Sequence, residues 1–204
     1  MIVIVDYGLG NLRSILKVCN LYSDKVIVSS KITDIQNASK IILPGVGNFK
    51  SAMNNLSKLN LIDVLNDNII TKNKPVLGIC LGMQIMTCTS EEGSCNGLGW
   101  IDGKTKLFKV KKRIPQIGWN SVKILKNTKL LSSNDLIENR NELFFVHSYY
   151  VDLNNHSDGL LETTYSNKNF YSGFSKGNIY GVQFHPEKSY DIGQKLISNF
   201  ICNV

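Results

Sequence analysis

The stretch Gly78-Ile79-Cys80-Leu81-Gly82 limits the folds open to this chain more than any other. It follows the apolar run Pro75-Val76-Leu77 and precedes a helix-like segment, so the backbone must leave a buried strand, turn sharply and enter a helix within a few residues. The tip of such a turn is strained and its neighbours must be small, a demand that Gly78 and Gly82 meet. A strand, a tight turn and a helix in that order belong to an open α/β sheet. A thiol at the tip is then a candidate nucleophile, because a helix N-terminus aimed at Cys80 presents free amides and a positive dipole end to a thiolate or an oxyanion. A buried structural cysteine between incidental glycines is the competing reading.

The rest of the first ninety residues agrees with such a sheet. Met1 to Val5 reads as a buried strand, followed by Leu12, Ile15, Leu16 and Cys19 at helical spacing. Lys25 to Ser29, Lys40 to Leu43 and Val76 to Ile79 read as further strands, with helices expected over Ser51 to Leu56 and Leu61 to Ile70. This alternation predicts a mostly parallel, doubly wound central sheet flanked by helices. After Gly97 the texture changes to short β-rich runs: Leu107 to Val110, Val122 to Leu125, Leu143 to Val151, Gly159 to Tyr165, Phe170 to Ser175 and Ile179 to Phe184. Strands without intervening helices predict an antiparallel β extension, and Ile192, Leu196, Ile197 and Phe200 predict a closing helix. With 204 residues and no linker or compositional break, residues 1–204 are expected to form a single domain.

Composition narrows the chemistry. No apolar run approaches the roughly 18 residues that span a bilayer, and Asp6 interrupts the N-terminal run too soon for a signal peptide, so a cytoplasmic protein without membrane contact is expected. Five scattered cysteines without a CxxC pair, and only three histidines, argue against a disulfide framework and a metal centre. The net charge of +7 owes much to Lys104, Lys106, Lys109, Lys111, Lys112 and Arg113. Without a recognition helix or aromatic RNA-binding signature, that stretch reads as a basic solvated loop rather than a nucleic-acid site.

Four other places could carry function. Gly8-Leu9-Gly10 opens a helix, but the third glycine of a dinucleotide fingerprint would fall at Arg13, so no nucleotide cofactor is expected. Pro44-Gly45-Val46-Gly47 follows the third strand, where a second oxyanion donor beside the Leu81 amide should lie. Phe184-His185-Pro186-Glu187 ends an apolar run and offers a base with its orienting carboxylate two residues on. His147 is a competing base, whereas His156 sits in a polar turn and is expected to play no part.

Taken together, Pro44-Gly45-Val46-Gly47, Gly78-Ile79-Cys80-Leu81-Gly82-Met83-Gln84 and Gln183-Phe184-His185-Pro186-Glu187-Lys188-Ser189 resemble the class I glutamine amidotransferases. Within that family the chain is most similar to glutaminase subunits of imidazole glycerol phosphate synthase, from Asp6-Tyr7-Gly8-Leu9-Gly10-Asn11 to the last helix. The resemblance implies a Cys80, His185 and Glu187 triad acting on the side-chain amide of L-glutamine, with no cofactor. It makes Val46, Gly47 and Leu81 oxyanion donors, and Gly47, Gln84, Glu92, Ser148 and Tyr149 the residues that hold glutamine. It also implies a heterodimer with a (β/α)8 barrel cyclase that receives the ammonia, Trp119, Asn120 and Lys188 matching positions near that interface. Gln116 departs from the family, which usually has histidine after Pro115. The stretch Gly97 to Gly103 also resembles paralogues that supply ammonia for amination of a surface-glycan sugar. A free-standing cysteine hydrolase shares the elbow and triad logic, but Gln84 and the lack of an added substrate domain speak against it, and an intact triad speaks against a non-catalytic binding module.

Overall fold

The computed structural model describes residues 1–135 and 142–204. In chain order the elements are β1 (Ile2–Val5), α1 (Leu12–Cys19), β2 (Val26–Ser29), α2 (Ile32–Asn37), β3 (Lys40–Leu43), α3 (Phe49–Lys58), α4 (Leu61–Asn66), β4 (Val76–Ile79), α5 (Leu81–Gln84), β5 (Thr87–Ser90) and β6 (Cys95–Asn96). There follow β7 (Ile101–Leu107), β8 (Gln116–Ser121), β9 (Lys123–Ile124), β10 (Glu142–His147), β11 (Tyr149–Leu153), β12 (Gly159–Tyr165), β13 (Lys168–Lys176), β14 (Ile179–Val182) and α6 (Tyr190–Cys202).

Among the described residues the main sheet runs β2-β1-β3-β4-β14-β13-β11-β7-β5-β6, with β12 attached at β13 and β9 paired in turn to β12. The block from β2 to β14 is parallel, and β14 to β13, β13 to β11 and β11 to β7 are antiparallel. β14 is therefore the seam between the expected parallel core and its antiparallel extension. Strand β1 shows why helices must cover both faces: Ile2 and Ile4 pack with Ile15, Leu196 and Phe200, whereas Val3 and Val5 pack with Phe49, Leu56, Leu61 and Leu65. Alternate residues of one strand feed two cores, so α1 and α6 lie on one side and α3 and α4 on the other.

Several sequence expectations need correction. Leu143 to Val151 is two strands: β10 pairs with β8 in a separate ribbon, and the chain crosses at Ser148 into β11 of the main sheet. The strand expected over Leu107 to Val110 instead ends at Leu107, because Phe108 turns into an aromatic cluster with Tyr150, Tyr165 and Phe170. The basic stretch is consequently strand only at its start: Lys104 and Lys106 lie on β7, where Lys106 pairs with Asp152 at 2.6 Å. The helix after the elbow, α5, is a single turn, so its free amides rather than a long dipole face Cys80.

Candidate active site

Strands β4 and β14 are parallel neighbours with Ile79 opposite Val182, so both leave the sheet at the same end. This is the C-terminal edge, where open α/β sheets gather their functional side chains. That register sets Cys80 beside Gln183, and the Cys80 amide continues the ladder by donating to Val182 O at 2.8 Å. Cys80 itself has φ 54° and ψ −109°, a conformation costly for a residue with a Cβ. The strain lifts the thiol out of the strand, and close packing holds it there: a Cβ on Gly82 would overlap the Leu43 carbonyl oxygen.

His185 lies three residues beyond the end of β14, with its ring 2% exposed. Its Nδ1–H donates to Glu187 Oε1 at 2.9 Å, and the Glu187 carboxylate is completely buried. Burial alone would lower the His185 pKa, but Cys80 and Glu187 together outweigh it and push it up to about 10. The direction favours the imidazolium, so a proton taken from the Cys80 thiol would be held ready for an amide leaving group. At rest Nε2 closes no hydrogen bond, as is common before substrate tightens such a geometry. Gln183 Nε2 donates to the Cys80 sulfur at 3.6 Å, and the thiol faces Val146 O at 3.9 Å. By contrast Cys19 is pushed up to about 12 by burial, with the Glu187 charge adding to it.

A cavity of about 260 Å³ opens in front of Cys80. Val46, Gly47, Leu81, Gln84, Glu92, Ser148 and Tyr149 all line it, so every residue expected to hold an oxyanion or glutamine shares one wall system with the thiol. Tyr7, buried beneath the loop, donates its hydroxyl to Pro44 O, while Gly47 has φ 117° and Val46 is 38% exposed. Gln84 Nε2 donates to Tyr149 O and Gln183 Oε1, both at 3.0 Å.

His147 also lines the cavity but is not placed to serve as the base that His185 could be. Its Nδ1–H donates to Tyr149 O at 2.7 Å, no carboxylate orients it, and burial lowers its pKa to about 4. His156 is remote, bonded to Tyr171 on the surface. Trp119 and Lys188 meet on the outer face of the β8–β10 ribbon, each against the Phe144 ring. Asn120 is separated from them, its side chain donating to Thr164 O. Sequence reasoning assigned no role to Gln183, although a parallel register between the two strand ends would have set it beside Cys80. It also passed over Tyr190, which stacks on Trp119 at 5.0 Å.

The family model described as glutamine amidotransferase class-I matches residues 3–204. The imidazole glycerol phosphate synthase subunit HisH 2 of Methanococcus maripaludis is 49% identical over 203 residues, covering 98% of each chain. The HisH subunit of Methanocaldococcus jannaschii is 46% identical over 204 residues, and HisH 2 of Pseudomonas aeruginosa 41% over 203, each with the same coverage. Among solved structures, PurLQS from Thermotoga maritima superposes with a TM-score of 0.72 at 17% identity, covering 98% of this chain and 96% of that one. A glutamine amidotransferase from the same organism gives 0.61 at 19% identity, covering 98% and 81%. At those identities the solved structures share the fold.

Proposed function

The chain belongs to the class-I glutamine amidotransferase family, and from that membership we propose that it is the glutaminase subunit of imidazole glycerol phosphate synthase. It hydrolyses glutamine to glutamate and ammonia in histidine biosynthesis and works with a cyclase subunit. The observation that carries this reading is the single cavity in which Cys80 meets Val46, Gly47, Leu81, Gln84, Glu92, Ser148 and Tyr149.

In the mechanism, His185 takes the Cys80 proton as the sulfur attacks the side-chain amide carbon of glutamine, and the carbonyl oxygen takes the negative charge. The Leu81 amide and the Val46–Gly47 peptide stabilise that oxygen. As the tetrahedral intermediate collapses, His185 gives its proton to the departing nitrogen, and ammonia leaves a glutamyl thioester. His185, now neutral, takes a proton from water as it attacks the thioester and passes it to the departing Cys80 sulfur, releasing glutamate and restoring the thiol. Glu187 fixes the ring through Nδ1 and balances its charge throughout. The partner is a (β/α)8 barrel cyclase that forms a heterodimer and receives the ammonia directly, in the cytoplasm, and Trp119, Asn120 and Lys188 contribute to that contact.

Glutamate release by the purified chain, alone and with a cyclase subunit, tests this. Turnover should rise when the cyclase is added and fall by about a thousandfold or more in Cys80→Ala. Undiminished glutamate release by Cys80→Ala would sink the assignment of the nucleophile.

A further inference from the structure

Glu92 lines the cavity, but its carboxylate has a second engagement: Oε2 accepts the backbone N–H of Phe49 at 2.7 Å. Phe49 is the first residue of α3, and its N–H is one of those the helix cannot satisfy internally. The side chain of Asn48 caps the same terminus by accepting Ser51 N at 3.0 Å. Phe49 comes only two residues after Gly47. The oxyanion loop is thus held at both ends, by Tyr7 on Pro44 O upstream and by Glu92 on Phe49 N downstream. Gly45, Val46, Gly47 and Asn48 hang between these clamps.

The downstream clamp is fixed in space. Glu92 N donates to Ser90 Oγ at 3.0 Å, and Glu91 N donates to Thr105 O at 2.9 Å, so the residue is tied to the β5–β7 edge. Gly93, at φ 78°, approaches α3 so closely that a Cβ there would lie 2.7 Å from Lys50 Cβ. A carboxylate has lone pairs enough for a backbone amide and an ammonium together.

Building on the glutaminase reading, we infer that Glu92 is a positioning residue linking the α-ammonium of bound glutamine to the oxyanion loop. Its carboxylate faces the substrate while holding the N-terminus of α3, and hence the downstream end of Val46–Gly47. Recognition of the α-ammonium then raises the rate of the chemical step as well as substrate affinity. An amide without that ammonium is disfavoured twice.

The test compares the unmutated full chain with Glu92→Gln, Glu92→Ala and Glu92→Asp, on glutamine and on its analogue lacking the α-amino group, with ammonia release as the readout. On glutamine all variants are active against a background of matched far-UV circular dichroism, and Glu92→Gln and Glu92→Ala raise KM. On the analogue, where no ammonium exists to be bound, Glu92→Ala lowers kcat about tenfold. Glu92→Gln, whose amide oxygen still accepts Phe49 N–H, recovers most of that loss. Glu92→Asp, one methylene too short to reach Phe49, resembles Glu92→Ala in kcat while preserving the KM for glutamine. Equal kcat for Glu92→Ala and Glu92→Gln on the analogue would overturn the inference, leaving Glu92 a simple ammonium ligand. An unmutated chain inert towards glutamine both alone and with a cyclase subunit would overturn the glutaminase reading and this inference with it.

Discussion

His147 sits against the rings of Phe108, Phe145 and Phe170, with Nδ1 engaged by a backbone carbonyl and Nε2 buried without a partner. A carbonyl can only accept, so Nδ1 carries a proton. Burial holds its folded pKa at about 4, below the ordinary histidine value. Between those two values the unfolded chain binds a proton that the folded chain refuses, so stability is full above about pH 6.5 and declines as pH falls towards 4. From pH 6.5 to pH 4.5 the unmutated protein should lose about 2 kcal/mol more than His147→Asn, measured by urea unfolding. Parallel losses would show that His147 titrates normally. In sequence, His147 remained a competing base beside His185. Only the tertiary fold separates them, by giving one a buried carboxylate and the other a carbonyl.

At the scale of elements, the elbow was legible because each of its requirements is local: an apolar strand, a small residue on each side and a turn. Gly82→Ala makes that requirement measurable, since the added methyl meets the Leu43 backbone rather than a side chain that could swing away. A stability loss of about 3 kcal/mol should follow, read from chemical denaturation. A loss below about 1 kcal/mol would mean that α5 shifts freely. The ribbon of β8 and β10 was not legible, because Leu143 to Val151 reads as one continuous β run and nothing local marks the change of sheet at Ser148. Long-range bonds make that change: Phe144 O accepts His185 N at 2.9 Å, and Phe144 N donates to Ser189 Oγ at 3.0 Å. The ribbon bearing Trp119 is therefore fastened to the segment that carries His185.

At the scale of the whole molecule, the outer face of that ribbon presents apolar side chains to solvent among the described residues, with Ile117 61% exposed and Trp119 stacked on a 73% exposed Tyr190. Large aromatic side chains of this kind dominate the energetics of protein contacts. Trp119→Ala should weaken binding to the cyclase subunit about tenfold or more by titration calorimetry, with unfolding unchanged. Unaltered affinity would move the contact elsewhere. The parallel core and its extension could be anticipated from the change in texture after Gly97, but the place of β14 could not: it is late in sequence and central in space.

That placement has a consequence for how the protein is made. A ribosome must deliver about nine-tenths of the polypeptide before β14 can enter the sheet beside β4. Until then the Cys80 segment has been synthesised for a hundred residues without His185, the residue proposed to activate it. On the proposed mechanism the growing chain carries Cys80 without its partner base through most of biosynthesis, and the site is complete only when the topology closes.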